Sequence, residues 1–64
     1  MKYKYIVTVN HGGTKVVRSN SLKESERTQT RLARQYKNEQ VDLYEDVNED
    51  EWKHLSMVSV CSFT

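Results

Sequence analysis

Polar and apolar positions alternate with a period of two at the start of the chain. One side of the alternation collects Tyr3, Tyr5, Val7 and Val9. This pattern is typical of a strand with one buried face. Gly12 and Gly13 follow in the stretch 10–13 and are free to adopt positive φ, so a hairpin turn is predicted, with a second strand over 14–19.

A helix is predicted next. Ser21 stands three residues before Glu24, the spacing of a capping box, which places the helix start at Leu22 and its end near Asn38. At about 100° per residue, one arc of this helix would face the sheet. The arc consists of Leu22, Ser25, Gln29, Leu32, Ala33 and Tyr36. Its apolar stripe is thin.

The last third of the chain predicts further strands. Alternation over 41–47 indicates a third strand, and alternation from Met57 to Phe63 indicates a last one. Residues 49–56 remain open, since Asn48 and Glu51 fit either the cap of one helical turn or a hairpin loop. The expected fold is α+β in the order ββαββ: a small antiparallel sheet of three to four strands packed against one main helix. Residues 1–64 form a single domain, and the strand order is left open.

The size of the chain argues against an enzyme. A domain of 64 residues has little interior in which to desolvate catalytic groups. His11, His54 and Cys61 are interpreted as a turn residue, a surface imidazole and a small buried hydrophobe. The lone cysteine excludes an internal disulfide and favours a reducing, cytoplasmic setting.

Neither a cofactor nor a metal is expected. No Cys/His spacing resembles a zinc site. A calcium loop starting at Asp46 fails, because Glu51 stands where glycine is needed and Met57 where the bidentate glutamate belongs. No apolar run approaches the roughly twenty residues of a membrane span, so no membrane partner is expected.

Charge divides the chain into two halves. Residues 1–38 carry nine lysines and arginines against two glutamates, a net charge of +7. Residues 39–64 carry one lysine against seven acids, a net charge of −6. The near-neutral total conceals this asymmetry, which indicates attraction to charged partners.

Five cations recur every three or four positions on the predicted helix, on the side opposite the sheet. This basic helix face consists of Lys23, Arg27, Arg31, Arg34 and Lys37. A solvated helix surface is the simplest interpretation, since Lys and Arg are good helix formers. Because the acids do not alternate with these cations, we instead expect a field that attracts acidic protein surfaces or polyanions.

A second candidate contact is the acidic segment, defined as Asp46, Glu49, Asp50 and Glu51. It is expected to dock against an arginine-rich surface or to present carboxylates in place of phosphates. One helix covers only one face of a sheet, so the uncovered face, with Ile6 on it, is expected to remain polar, meet a partner or pair two copies into a homodimer.

The segments YKYIVTV, TKVVRSNS, LKESERTQTRLARQYK and VDLYEDV resemble, in size and order, the small ββαβ proteins that bacteriophages and mobile elements use to inhibit or redirect host machinery. The resemblance implies a non-enzymatic, anti-defence type of module. Such a module would bind a host protein in the bacterial cytoplasm. The charge pattern of the chain, not the resemblance, assigns the contacts to the basic helix face and the acidic segment. The hairpin and helix also resemble the arm-type DNA-binding domain of phage integrases, although the third strand before the helix is missing. A small nucleic-acid-binding accessory protein that uses the basic helix is therefore the alternative.

Overall fold

One helix packs on one face of a four-stranded antiparallel sheet in the computed structural model, which describes residues 3–48 and 51–60. The elements are β1 (Tyr5–Val9), β2 (Lys15–Ser19), α1 (Leu22–Gln35), β3 (Val41–Asn48) and β4 (Glu51–Val58). The strand order is β2-β1-β3-β4, so the first and third strands are central. The predicted α+β fold in the order ββαββ is confirmed. No helix in the described ranges is long and apolar enough to span a membrane.

The first hairpin turns through three successive residues with positive φ. Asn10 and His11 both have φ of 55°, and Gly12 has φ of 87°. The N–H groups of Gly12 and Thr14 donate to the carbonyl oxygen of Val9, at 3.1 and 3.2 Å. The predicted turn is confirmed. The positive φ expected at Gly13 occurs instead at Asn10 and His11, in addition to Gly12. Asn and His adopt this conformation more readily than most residues with a Cβ.

Helix α1 begins where predicted and ends earlier. The Ser21 Oγ accepts a hydrogen bond from the Glu24 N–H at 3.4 Å, as an N-cap should. The reciprocal half of the predicted capping box is missing, because the Ser21 N–H donates to Ser19 Oγ at 3.2 Å instead. The helix ends at Gln35 rather than near Asn38, whose φ of 70° is incompatible with a continued right-handed helix.

The core lies between α1 and the two central strands. Its buried members are Val7, Val9, Leu32, Ala33, Val41 and Leu43. The predicted sheet-facing arc of α1 is correct for its four buried members and for half-buried Tyr36. It is wrong for Leu22, which is 41% exposed. Leu22 is the first helical residue, and side chains in the first turn point back past the helix end.

A buried amide fastens α1 to β3 and β4. Gln29 Nε2 donates to the carbonyl oxygens of Val41 and Ser56, at 3.2 and 3.3 Å. Ser56 Oγ donates to Gln29 Oε1 at 3.2 Å. Three hydrogen bonds thus satisfy a polar side chain that is only 3% exposed. Two of them link α1 to Ser56 of β4, the edge strand.

Strand β4 corrects the prediction for the end of the chain. Residues 51–56 belong to a strand that pairs with β3, so the alternative of a helical turn is wrong and the hairpin is right. The predicted strand from Met57 to Phe63 starts six residues too late, and its residues 61–63 lie outside the described ranges. Register shifts fall between Leu43 and Tyr44 and between Asp46 and Asn48. The first leaves Leu55 without a partner in β3. It also interrupts the alternation of side chains between the two faces of β4, on which the prediction of a strand from sequence depends.

Replacing Gln29 by leucine should lower the free energy of unfolding by about 2 kcal/mol, because the buried bond to the Val41 carbonyl and the two part-buried bonds with Ser56 are lost. Urea denaturation of both proteins measures the difference. Gln35→Leu is the matched control, since Gln35 is exposed on the same helix and its replacement should change stability by less than about 0.5 kcal/mol. Equal effects of the two variants would contradict the role of the buried amide.

Replacing Ser25 by alanine should have the opposite sign. Ser25 is fully buried on the same helix face, and its Oγ has no hydrogen-bond partner among the described residues. Removing a buried hydroxyl without a partner and inserting a better helix former should raise stability by about 1 kcal/mol. A urea midpoint below that of the unmodified protein would show that the hydroxyl is satisfied.

Candidate functional site

Helix α1 presents the basic helix face to solvent. Ser25, Gln29, Leu32 and Ala33 are buried against the sheet, and the cations are about half a turn away around the helix axis. All five predicted cations are exposed. Four of the cations lie on α1, and Lys37 lies two residues beyond its last residue, Gln35.

No ion pair within residues 3–48 and 51–60 involves the basic helix face. The pairs join Lys4 to Glu45 at 3.9 Å and two histidines to one aspartate. The helix's own acids lie near its start. Glu24 and Glu26 are three positions from Arg27 and Lys23, a spacing at which side chains are neighbours, and Thr28 and Thr30 occupy the positions four residues after the two glutamates. Arg31 and Arg34 have no acid within four positions on the helix, so the positive charge is least compensated there.

The described ranges contain two residues of the predicted acidic segment. Asp46 and Glu51 lie on the β3–β4 hairpin, while Glu49 and Asp50 lie outside the described residues. Glu51 is exposed, and its Oε2 accepts a hydrogen bond from Asn48 at 3.2 Å. Asp46 is half-buried, with one carboxylate oxygen shielded from solvent and without a hydrogen bond. Of these two, Glu51 is the more accessible to a partner.

The hairpin that carries this segment extends past the rest of the sheet. The last registered pair between β1 and β3 is Tyr5 with Glu45, whereas the β3–β4 ladder continues to Asn48 with Glu51. Glu51 therefore lies outside the area where β1 and β3 pair, whereas the Asp46 N–H still donates to the Lys4 carbonyl at 2.7 Å. The basic helix face lies on α1 and these two acids on the hairpin.

A polar cluster on the uncovered sheet face was not predicted. Asp42 is 1% exposed, although its side chain points away from the helix. Its Oδ1 lies 3.0 Å from His54 Nε2, and its Oδ2 lies 3.9 Å from His11 Nδ1. Gln40 Nε2 donates to both carboxylate oxygens, at 3.1 and 3.2 Å. This cluster binds the first turn to strands β3 and β4.

The cluster adds to two expectations. His11 lies in the first turn and His54 is exposed, as predicted, and both also contact the same buried carboxylate. The alternation of Asp42 with Val41 and Leu43 was the available signal, because it places the aspartate on the uncovered face beside Thr8. Within the described parts of the chain, no group of three or more His, Cys, Asp or Glu is arranged to hold a metal ion.

Aromatic and apolar side chains flank this cluster. The Tyr44 ring lies 5.7 Å from the Trp52 ring and 5.3 Å from the His54 ring, measured between centroids, in tilted geometry. Such aromatic pairs stabilise a sheet face by up to about 1 kcal/mol each. Val16 and Met57 are exposed on the same face. Ile6 is buried there by its neighbours, so the uncovered face has a small apolar cluster of its own.

No protein-family model matches the chain, and comparison with curated proteins and with solved structures gives no significant match. The resemblance to small phage proteins therefore stays a prediction.

Reversing one charge of the basic helix face should stabilise the helix. Arg31 has Arg27 and Arg34 as neighbours at helical spacing and no acid within one turn. Arg31→Glu turns two repulsive pairs into attractive ones, so the free energy of unfolding should rise by about 1 kcal/mol at low salt. Arg31→Gln, which removes the repulsion only, should give about half of that. Urea denaturation at two ionic strengths measures both, and unchanged stability would mean that the cations do not repel one another.

Proposed function

We propose that this chain is a non-enzymatic protein-binding module whose main contact is the basic helix face. The partner is a protein with an acidic surface. Following the resemblance to small phage proteins, we assign that partner to the cytoplasm of a bacterial host, where binding inhibits or modulates it. The acidic segment supplies the second contact.

The absence of internal partners for the helix cations, within the described residues, is the observation that supports this proposal most. Lys23, Arg27 and Arg31 are spaced four residues apart, and like charges at this spacing cost a few tenths of a kcal/mol per pair. Glu24 and Glu26 offset part of that cost for Arg27 and Lys23, but no acid lies within four positions of Arg31 or Arg34 on the helix. A retained cost of this kind is expected where the charges are needed for recognition.

The spacing of the cations suggests the form of the partner surface. From Lys23 to Arg34 the stripe is about 16 Å long, with neighbours about 5 to 6 Å apart along the axis. Carboxylates that recur at similar intervals, as on one face of an acidic helix, would meet each cation in turn. Arginine forms paired hydrogen bonds with a carboxylate, so Arg27, Arg31 and Arg34 should contribute more to specificity than the two lysines.

Nucleic acid is the second candidate, because phosphates would also be attracted to an evenly spaced row of exposed cations. The carboxylates of the hairpin oppose a long polyanion, whereas they offer a protein partner a further contact. We therefore rank nucleic acid second and let the binding experiment distinguish the two.

Reversal of Arg27, Arg31 and Arg34 to glutamate should abolish partner binding and leave the fold intact, since all three side chains are exposed. The measurement is affinity capture from bacterial lysate with the unmodified chain and the triple variant, each with and without nuclease. Circular dichroism checks the fold. Arg18→Glu is the control, because Arg18 is exposed on the opposite side of the sheet and has the same charge.

A protein captured by the unmodified chain and by Arg18→Glu, lost with the triple variant and insensitive to nuclease, supports the proposal. Capture that the triple variant retains would exclude the basic helix face. Capture that disappears with nuclease and falls steeply with salt would favour the nucleic-acid alternative.

A further inference from the structure

We propose that β4 is the pairing edge of a homodimer, in which two copies join their sheets into one of eight strands. Strand β4 is one of the two edges of the sheet, and seven of its eight residues are exposed. An edge strand leaves every second backbone N–H and C=O group without a partner in its own sheet. At about 3.4 Å per residue, this edge is about 27 Å long.

The two edges of the sheet differ in how well they are protected. The other edge, β2, has only five residues, and Lys15 and Arg18 are exposed on it. Short length and basic side chains are common protection against unwanted strand pairing. Strand β4 is longer, has no proline and has Lys53 as its single cation. By length and by number of cations β4 is the less protected edge, although the bulge at Leu55 is itself a feature that protects edge strands.

Exposed apolar side chains concentrate on the same edge. Among the described residues, Trp52, Leu55 and Met57 are large exposed hydrophobic residues on β4, and Val47 is another on the strand beside it. Strand β2 offers only Val16. Trp and Met are enriched in the buried centres of protein interfaces. A partner that added a strand to β4 would therefore cover apolar side chains as well as backbone groups.

A second copy fits this edge because β4 is complementary to itself. In antiparallel pairing about a two-fold axis perpendicular to the sheet, Trp52 lies opposite Met57 of the second copy and Lys53 opposite Ser56. Within each copy, Trp52 and Met57 point to the uncovered face, while Lys53 and Ser56 point to the helix side. All eight residues of both strands overlap in this register.

The bulge makes this register possible. Trp52 and Met57 are five positions apart and would point to opposite faces in a regular strand. The shift at Leu55 brings them to the same face. In each pair across the axis, the two side chains therefore point to the same face of the sheet. Glu51 then lies opposite Val58, and no like charges face each other. The contact of a thioether with an indole adds to the apolar gain.

This interface leaves the basic helix face free, because α1 lies on one face of the sheet and the pairing occurs at its edge. The inference therefore does not depend on the proposed function. It also differs from the dimer expected through the uncovered face, since backbone hydrogen bonds at the edge, rather than stacked faces, would hold the copies together.

Sedimentation equilibrium from micromolar to millimolar concentration tests the dimer. The unmodified chain should approach twice the chain mass of 7.6 kDa. Leu55→Lys brings two positive charges together at the axis and should raise the dimer dissociation constant about tenfold or more. Val16→Lys is the matched control, because Val16 is 39% exposed and Leu55 is 37% exposed, and it should leave the constant unchanged.

Hydrogen exchange of the unmodified chain gives a second measurement that needs no variant. Amides of β4 should lose protection on dilution, whereas those of β2 should not change. A strict monomer at millimolar concentration would overturn the proposal and leave the edge to an extended segment of another protein. A dimer that Leu55→Lys leaves intact, or one that Val16→Lys disrupts, would overturn it as well.

Discussion

A single helix of 14 residues has to cover a sheet of four strands. The helix is about 21 Å long and about 10 Å wide, while four strands span about 19 Å, so cover is complete only over the centre. The core accordingly lies above β1 and β3. Towards β4 the apolar contact gives way to the two hydrogen bonds between Gln29 and Ser56, which hold a strand that the helix scarcely covers. The polar contacts on the other face and at β4 follow from the small area of sheet that one helix can cover.

The uncovered face solves the same problem with polar contacts. Ile6 and Thr8 are buried there, although no second layer formed by residues 3–48 and 51–60 lies over them. The ring of Tyr44 and the hydrogen-bonded group around Asp42 shield this part of the sheet instead. A buried carboxylate is costly unless its oxygens accept hydrogen bonds, and here Gln40 and His54 supply them. Replacing either partner would leave fewer hydrogen bonds to offset the desolvation of Asp42.

Local sequence patterns predict the elements whose neighbours are close in the chain. The alternation in β1, the N-cap at Ser21 and the buried arc of α1 depend on periodicity and short-range hydrogen bonds. Strand β4 was misplaced because the bulge at Leu55 interrupts its alternation and because an edge strand needs little apolar pattern. The basic helix face could be predicted for the same reason as the helix, because its five cations recur every three or four residues.

The contacts of Asp42 could not be predicted in this way. His11 and His54 are 31 and 12 residues from it, and the strand order β2-β1-β3-β4 brings them together. Sequence order alone leaves that arrangement open. Packing also decides which acids of the segment are accessible. Asp46 and Glu51 are both carboxylates, but Asp46 is half-buried and Glu51 is exposed.

The seam between β1 and β3 has a consequence for how the chain folds. Each hairpin closes locally, but the seam joins residues about 36 positions apart and forms only when the basic half meets the acidic half. Opposite net charges accelerate such an encounter even where few ion pairs survive in the product. We therefore expect salt to slow the collapse of the two halves onto each other more than it weakens the finished structure.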